Sequence, residues 1–226
     1  RQMCIRDSKL SVQDVKDMMR DHYEGTPLDI SNDFGAGPYK TPYRLSPLNF
    51  KVDGQEYFNE RPISTQQSGF VFVAQMRAHK PDLIGGVLWF GVDDANMAVF
   101  TPVYCCATKV PVCYTRVDGA DYITFSWNSA FWIFNWVSNM VYPRYDLMIG
   151  DVREAQKEME TTFNNAQEGI EEMAAKLLAK DKNAAVDFLT NYTNMTAQST
   201  FDTWKQLGTF LIVKYNCLLY TSDAAD

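Results

Sequence analysis

Long apolar runs are missing from this chain. In 226 residues no stretch approaches the ~18–20 residues that cross a membrane. The nearest, residues 130–141, is interrupted by Asn135, Ser138 and Asn139. A basic cluster is missing too. Lys and Arg number 21 against 28 Asp and Glu, a net charge of −7, which argues against a nucleic-acid partner. Histidine is scarce, with only His22 and His79. There is no G-x-S-x-G, so Ser-His-Asp chemistry has little support. Phosphate-loop and dinucleotide fingerprints are likewise absent. The five cysteines follow no regular framework, so no disulfide scaffold is expected. Adjacent Cys105 and Cys106 are poorly spaced for zinc and far in sequence from either histidine. We expect no metal and no cofactor, and read the internal thiols as small buried hydrophobes.

Both ends read as foreign. RQMCIRDS at the start and CLLYTSDAAD at the close resemble translated sequencing-adapter read-through on metagenomic fragments. We therefore expect residues 1–8 and 217–226 to be non-native, and residues 9–216 to be one natural segment open at both ends. That leaves Cys105, Cys106 and Cys113. No signal peptide is visible, and the compartment stays open between bacterial cytoplasm and periplasm or secretion.

What remains is rich in core-forming residues, 46% hydrophobic and 14% aromatic, enough for one large domain. Ser11-Val-Gln-Asp14 has the form of a capping box, followed by an apolar stripe of Val12, Val15, Met18 and Met19. This predicts a helix ending near His22. Residues 24–59 carry Pro27, Pro38, Pro42 and Pro47 and read as a long ordered loop. Strands are predicted at 70–74, 87–92, 97–100 and 122–125, joined by turns at Asp53-Gly54, 93–96 and Asp118-Gly119. Helices follow over 129–142, 150–180 and 183–216. The second has Val152, Ala155, Met159, Phe163, Ala166, Ile170, Met173 and Leu177 at a 3–4 residue step. Its opposite face carries Arg153, Glu154, Lys157 and Glu171. The third reads as broken near 197–200. Strands followed by helices make an α+β fold.

The order of motifs then becomes informative. ERPI at 60–63 is followed by a Gln-rich strand, QMR at 75–77, P-x-x-I-G-G-x-x-W at 81–89 and P-x-Y at 102–104. DHYEGTPLD at 21–29, SAFWIFNWVSNMVYPRY at 129–145 and DVREAQKEMET at 151–161 continue it. This order resembles the dipeptidases of peptidase family C69, which are N-terminal-nucleophile cysteine hydrolases. The resemblance implies a four-layer αββα sandwich, present here in part, with long C-terminal helices. It implies a cysteine thiol at the mature N-terminus that attacks an amide carbonyl, with its own α-amine as base, through an acyl-enzyme. The substrate would be a dipeptide or short peptide. No nucleic acid, membrane or metal is implied, and a homo-oligomer stays open.

The nucleophile is expected upstream of Lys9. Cys4 is an alternative, but a capped helix begins seven residues later and leaves no strand to hold it. A fragment without the nucleophile should be inactive. Candidate substrate-side residues are His22, Gln67, Gln75 and Arg77. Histidine titrates near neutrality, and an arginine fork suits a carboxylate. Against this, His22 can simply complement a helix dipole, and an arginine can simply pair on the surface. Two other functions compete: a non-enzymatic helical interaction module, and an amidohydrolase of the same nucleophile class acting on acylated small molecules. The module requires the apolar stripe of residues 152–177 to be exposed.

Overall fold

The computed structural model describes residues 9–43, 49–58 and 61–216. Cys4, Cys217, Pro47 and Glu60, named above, lie outside them. Helix α1 (Val12–Met19) begins at Ser11, whose hydroxyl accepts from the Asp14 amide while Asp14 answers to the Ser11 amide, so the capping box forms. The loop that follows contains single turns of 3-10 helix at Ile30–Asn32 and Phe34–Ala36. A separate hairpin pairs β1 (Asn49–Val52) with β2 (Gln55–Phe58). Its turn needs positive φ at both central residues, and Asp53 and Gly54 supply it at 50° and 79°.

The main sheet is antiparallel, in the order β3 (Phe70–Met76), β4 (Gly86–Val92), β5 (Thr101–Tyr104). A one-turn helix α2 (Asp82–Gly85) leads into β4. Then come α3 (Ala130–Val141), α4 (Tyr145–Leu178) and α5 (Lys182–Asn216). Val71, Val73, Val87 and Trp89 point into a common core with Ile133, Phe134, Val152, Leu189, Trp204 and Leu211. Phe134 stacks on Trp204 at 4.9 Å between centroids. At Gly208 a Cβ would stand 2.3 Å from the Trp136 ring, so only glycine lets α3 approach α5 this closely. The α+β class holds.

Several boundaries differ from expectation, each for a physical reason. Residues 97–100 form no strand. They are fully buried, but the Asp94 carboxylate and carbonyl capture the Met97 amide and turn the chain. Residues 122–125 also form no strand. Asp121 takes the amides of Ile123 and Thr124, and Tyr122 and Ile123 are exposed. Helix α4 starts at Tyr145, not 150, because Pro143 ends α3 with only one 3-10 turn between them. Helix α5 runs unbroken through 197–200. There Thr196 bonds back to the Tyr192 and Thr193 carbonyls, while Ala197 and Thr200 are buried.

The stripe on α4 is turned toward the core. Val152 and Phe163 are buried, with Ala155, Met159 and Ile170 packed beside them, while Met173 is exposed, which leaves little of the free apolar face an interaction module would need. Glu171 is buried too, contrary to its expected place on the solvent face. Arg77 at 2.6 Å, Lys80 at 3.1 Å and the Tyr104 hydroxyl at 3.2 Å surround its carboxylate. Of the three thiols among the described residues, Cys113 is buried, Cys106 is half-buried and Cys105 is exposed. Among the described residues no helix is long and apolar enough to cross a membrane.

The other face of the sheet is different in kind. Phe70 is 61% exposed, Phe72 50% and Met76 75%, with Leu88, Phe90 and Val103 half-buried between them. A sheet with water on one side normally alternates apolar and polar residues. This sheet is apolar on both.

Candidate functional site

The densest polar constellation lies on the connection from β4 to β5. Every residue from Gly91 to Pro102 is buried. A buried loop must find partners for its backbone, and helices α1 and α4 supply them. Arg20 donates to the carbonyls of Ala95 and Ala98, both at 3.0 Å. Gln156 donates to those of Asn96 and Ala98 at 2.8 and 2.9 Å. Arg153 donates to the Asn96 carbonyl at 2.9 Å and to its side chain. Glu160 accepts from the Phe100 amide at 2.9 Å and closes a buried ion pair with Arg20 at 2.5 Å.

Asp94 is the hub. Its carboxylate accepts hydroxyls from Tyr142 at 2.5 Å, Ser64 at 3.2 Å and Tyr43 at 3.2 Å. Asn96 donates to the Tyr43 and Tyr145 hydroxyls. Burial, then the Asp94 charge, push the Tyr43 hydroxyl far above its usual range. Burial raises the Tyr142 hydroxyl too, so Tyr43 and Tyr142 both stay protonated donors. The neighbouring Asp93 sits at φ 74°, a left-handed conformation uncommon outside glycine. Burial first, and repulsion from Asp94 second, raise its carboxyl to about 7. Its Oδ2 has no hydrogen-bond partner among the described residues.

His22 joins this network from α1's side. It is fully buried, edge-on to the Tyr43 ring at 5.0 Å, with Nδ1 3.2 Å from Glu24. Burial lowers its pKa, and Glu24 opposes that only in part. Its Nε2 has no hydrogen-bond partner among the described residues. Beside it, between α1 and α4, opens a cleft of about 840 Å³ lined by Asp17, Arg20, Asp21, Glu24, Arg153 and Lys157, among others. Asp17, Asp21 and Glu24 come from the α1 side together with Arg20, and Arg153, Lys157 and Glu160 come from α4.

The other predicted residues lie elsewhere. Gln67 is exposed on the loop before β3 and accepts from the Thr65 hydroxyl. Gln75 and Arg77 share the helix-facing side of the sheet at the far end of β3. Gln75 accepts from Trp89 at 3.1 Å and Gln167 at 2.9 Å. Arg77 spends its fork on Glu171 and on the Ile84 and Gly85 carbonyls. The structure thus sets the His22 ring against Tyr43, itself a partner of Asp94, and separates it from the glutamines and Arg77. Sequence reasoning missed Tyr43, Ser64, Asn96, Tyr142 and Tyr145. One signal was available: Asp93, Asp94 and Asn96 interrupt a nearly continuous apolar run from 87 to 100. Among the described residues no group of three His, Cys, Asp or Glu is placed to hold a metal.

The model for peptidase family C69 matches residues 2–158, which take in α1, the sheet, the buried loop and the Arg153 end of α4. A curated relative, a probable dipeptidase B of Lactococcus lactis subsp. lactis (strain IL1403), is 26% identical over 182 residues. That alignment covers 74% of this chain and 33% of the relative, so the chain spans about a third of the relative's length. With more than half of its residues matched by the family model, the chain belongs to peptidase family C69.

Proposed function

We propose that this chain is part of a cysteine-type dipeptidase that cleaves dipeptides through an acyl-enzyme on an N-terminal cysteine, with the nucleophile outside residues 9–216. The observation that carries the reading is the family match across the sheet and the buried loop. The naming of a relative as a probable dipeptidase supports it. In this mechanism the thiolate attacks the peptide carbonyl and the α-amine takes its proton. The protonated amine then gives that proton to the leaving amino group, and water hydrolyses the thioester. No step uses a metal.

The open sheet face supports the four-layer arrangement. Phe70, Phe72, Leu88 and Phe90 form an apolar surface that a second sheet would cover at the usual ~10 Å spacing. In this reading the α1–α4 cleft holds the ends of the substrate. Asp17, Asp21 and Glu24 suit a free amine, and Lys157 suits a carboxylate. His22 is fully buried behind Glu24 and does not line the cleft, so in this reading its part is to hold Glu24 in place. Gln67 remains an exposed candidate. Gln75 and Arg77 act by anchoring β3 to α4.

Dipeptide hydrolysis by the longer parent protein tests this. Turnover that vanishes when its N-terminal cysteine becomes serine, and a raised KM in Glu24→Gln, are expected. Turnover by the 226-residue chain itself, lost in Cys4→Ser, would place the nucleophile at Cys4. Hydrolysis of N-acyl substrates in preference to dipeptides would favour the amidohydrolase reading.

A further inference from the structure

Beside the charged α1–α4 cleft lies a second cavity of a different kind. It measures about 600 Å³ and opens between the start of α1, β3 and α4. Gln13 and Asn164 border both spaces. Among the described residues no ionised side chain lines the second one. Its polar groups are Ser11 and the amides of Gln13, Gln75, Asn164 and Gln167. Gln75 projects from the helix side of β3, opposite Phe70 and Phe72, so a second sheet over those rings leaves it accessible.

The surroundings fix the orientation of these amides. An indole N–H and a lysine ammonium can only donate. Gln75 therefore turns its oxygen to Trp89 Nε1 at 3.1 Å, and Asn164 turns its oxygen to Lys16 Nζ at 3.4 Å. Gln167 Nε2 donates to the same Gln75 oxygen at 2.9 Å, which fills both of that oxygen's lone pairs. Two groups are left over. Gln75 Nε2 has no acceptor and Gln167 Oε1 no donor among the described residues. Anchoring β3 to α4 thus uses one end of each amide and leaves a donor and an acceptor for a ligand. Both residues are half-buried, and Val12, Val15 and Val73 supply apolar wall beside them.

We propose that this cavity is a specificity pocket for the carboxamide side chain of a glutamine or asparagine residue in the substrate, which rests on the dipeptidase reading of the adjoining cleft. The carboxamide oxygen accepts from Gln75 Nε2, its N–H donates to Gln167 Oε1, and its methylenes pack on the valines. A dipeptide has a single peptide group, which is spent at the nucleophile. The amide that reaches the second cavity therefore belongs to a side chain. Any side chain that enters displaces water from both groups, and an apolar one returns neither hydrogen bond. A carboxylate has no N–H for Gln167, and among the described residues no cation lines the cavity to receive its charge.

Titration calorimetry of the 226-residue chain tests the pocket without needing turnover. The probes are Ala-Gln and Gln-Ala, with the corresponding glutamyl and methionyl dipeptides. At least one glutaminyl dipeptide should bind roughly 10-fold or more tightly than its two counterparts. Gln75→Glu keeps an oxygen for Trp89 and Gln167 but removes the free N–H groups, and should abolish the preference. Gln167→Met should do likewise, while Gln198→Ala, at an exposed position on α5, leaves it unchanged. Circular dichroism of each variant separates loss of the pocket from loss of the fold. Equal binding of glutaminyl and methionyl dipeptides, or none, would overturn the proposal. So would a preference that survives Gln75→Glu and Gln167→Met in folded protein. Tighter binding of Ala-Ala-Ala than of either glutaminyl dipeptide would give the cavity to a peptide group and overturn it as well. Failure of the dipeptidase reading shows separately, as a longer parent protein that binds these dipeptides and turns none of them over.

Discussion

The two faces of the three-stranded sheet are built from similar residues and meet opposite fates. Val71, Val73, Val87 and Trp89 face the helices and are at most 7% exposed. Phe70, Phe72 and Met76 face the other way and are half exposed or more. Apolar composition therefore does not determine burial in this chain; what packs on each face does. Water contact at a large aromatic side chain forgoes about 1.5–3 kcal/mol relative to full burial, so the open face is a reservoir of stability for whatever covers it. The helix face, by contrast, has its interactions in place, including charged ones.

The comparison can be broken most severely at the ion pair behind the covered face. Glu160→Ala strands the Arg20 guanidinium and the Phe100 amide in the interior. It should cost about 3–5 kcal/mol, read by chemical denaturation. Trp89→Ala on the covered face should lose about 3–5 kcal/mol. Phe72→Ala on the open face should change stability by less than about 0.5 kcal/mol. Equal losses from these two would mean that both faces are already covered in solution.

Two titrations sharpen the picture further. Lys16 on α1 is fully buried, its ammonium 3.8 Å above the Trp89 ring, and burial lowers its pKa to about 8. The unfolded chain binds this proton more tightly than the folded one. Stability should therefore rise with pH from about 8 to about 10.5. Lys16→Met should remove that rise and raise stability at pH 7. Asp93 has the opposite sign. Its carboxyl is raised to about 7 from 3.8, so the folded state holds the proton longer. Stability should fall as pH climbs from about 4 through about 7, and Asp93→Asn should flatten that limb in urea melts taken across pH. The smallest effect is expected at Phe72→Ser. It should leave the unfolding midpoint nearly unchanged but reduce self-association in sedimentation, because it removes apolar area from an exposed patch.

Local signals were the legible ones. The capping box at Ser11, the Asp53-Gly54 turn, the strands at 70–74 and 87–92 and the stop at Pro143 each depend on neighbours within a few residues, and each appears. Residues 97–100 misled because a buried apolar loop and a buried strand share one composition. The difference lies in Asp94, whose carboxylate replaces a strand partner for the Met97 amide. Glu171 misled in the reverse direction. Charge pattern sends a glutamate to solvent, and only Arg77 and Lys80, some 90 positions earlier in sequence, bring it inside. Of the candidate site, His22 was legible as an unusual residue in an unusual segment. Its Tyr43 and Asp94 surroundings were not, since Tyr43 comes from a proline-rich loop and the Asp94 hub gathers hydroxyls from residues 43, 64 and 142.

By itself the sequence determined the α+β class, the strands at 70–74 and 87–92, the helices that follow and the family, because periodicity, turn chemistry and motif order are written along the chain. Only the tertiary structure decided which face of the sheet is covered, which carboxylates go inside and which amides line the cavity beside β3. Those outcomes depend on contacts between residues far apart in sequence, where the free energy of burial is set by the partner rather than by the residue.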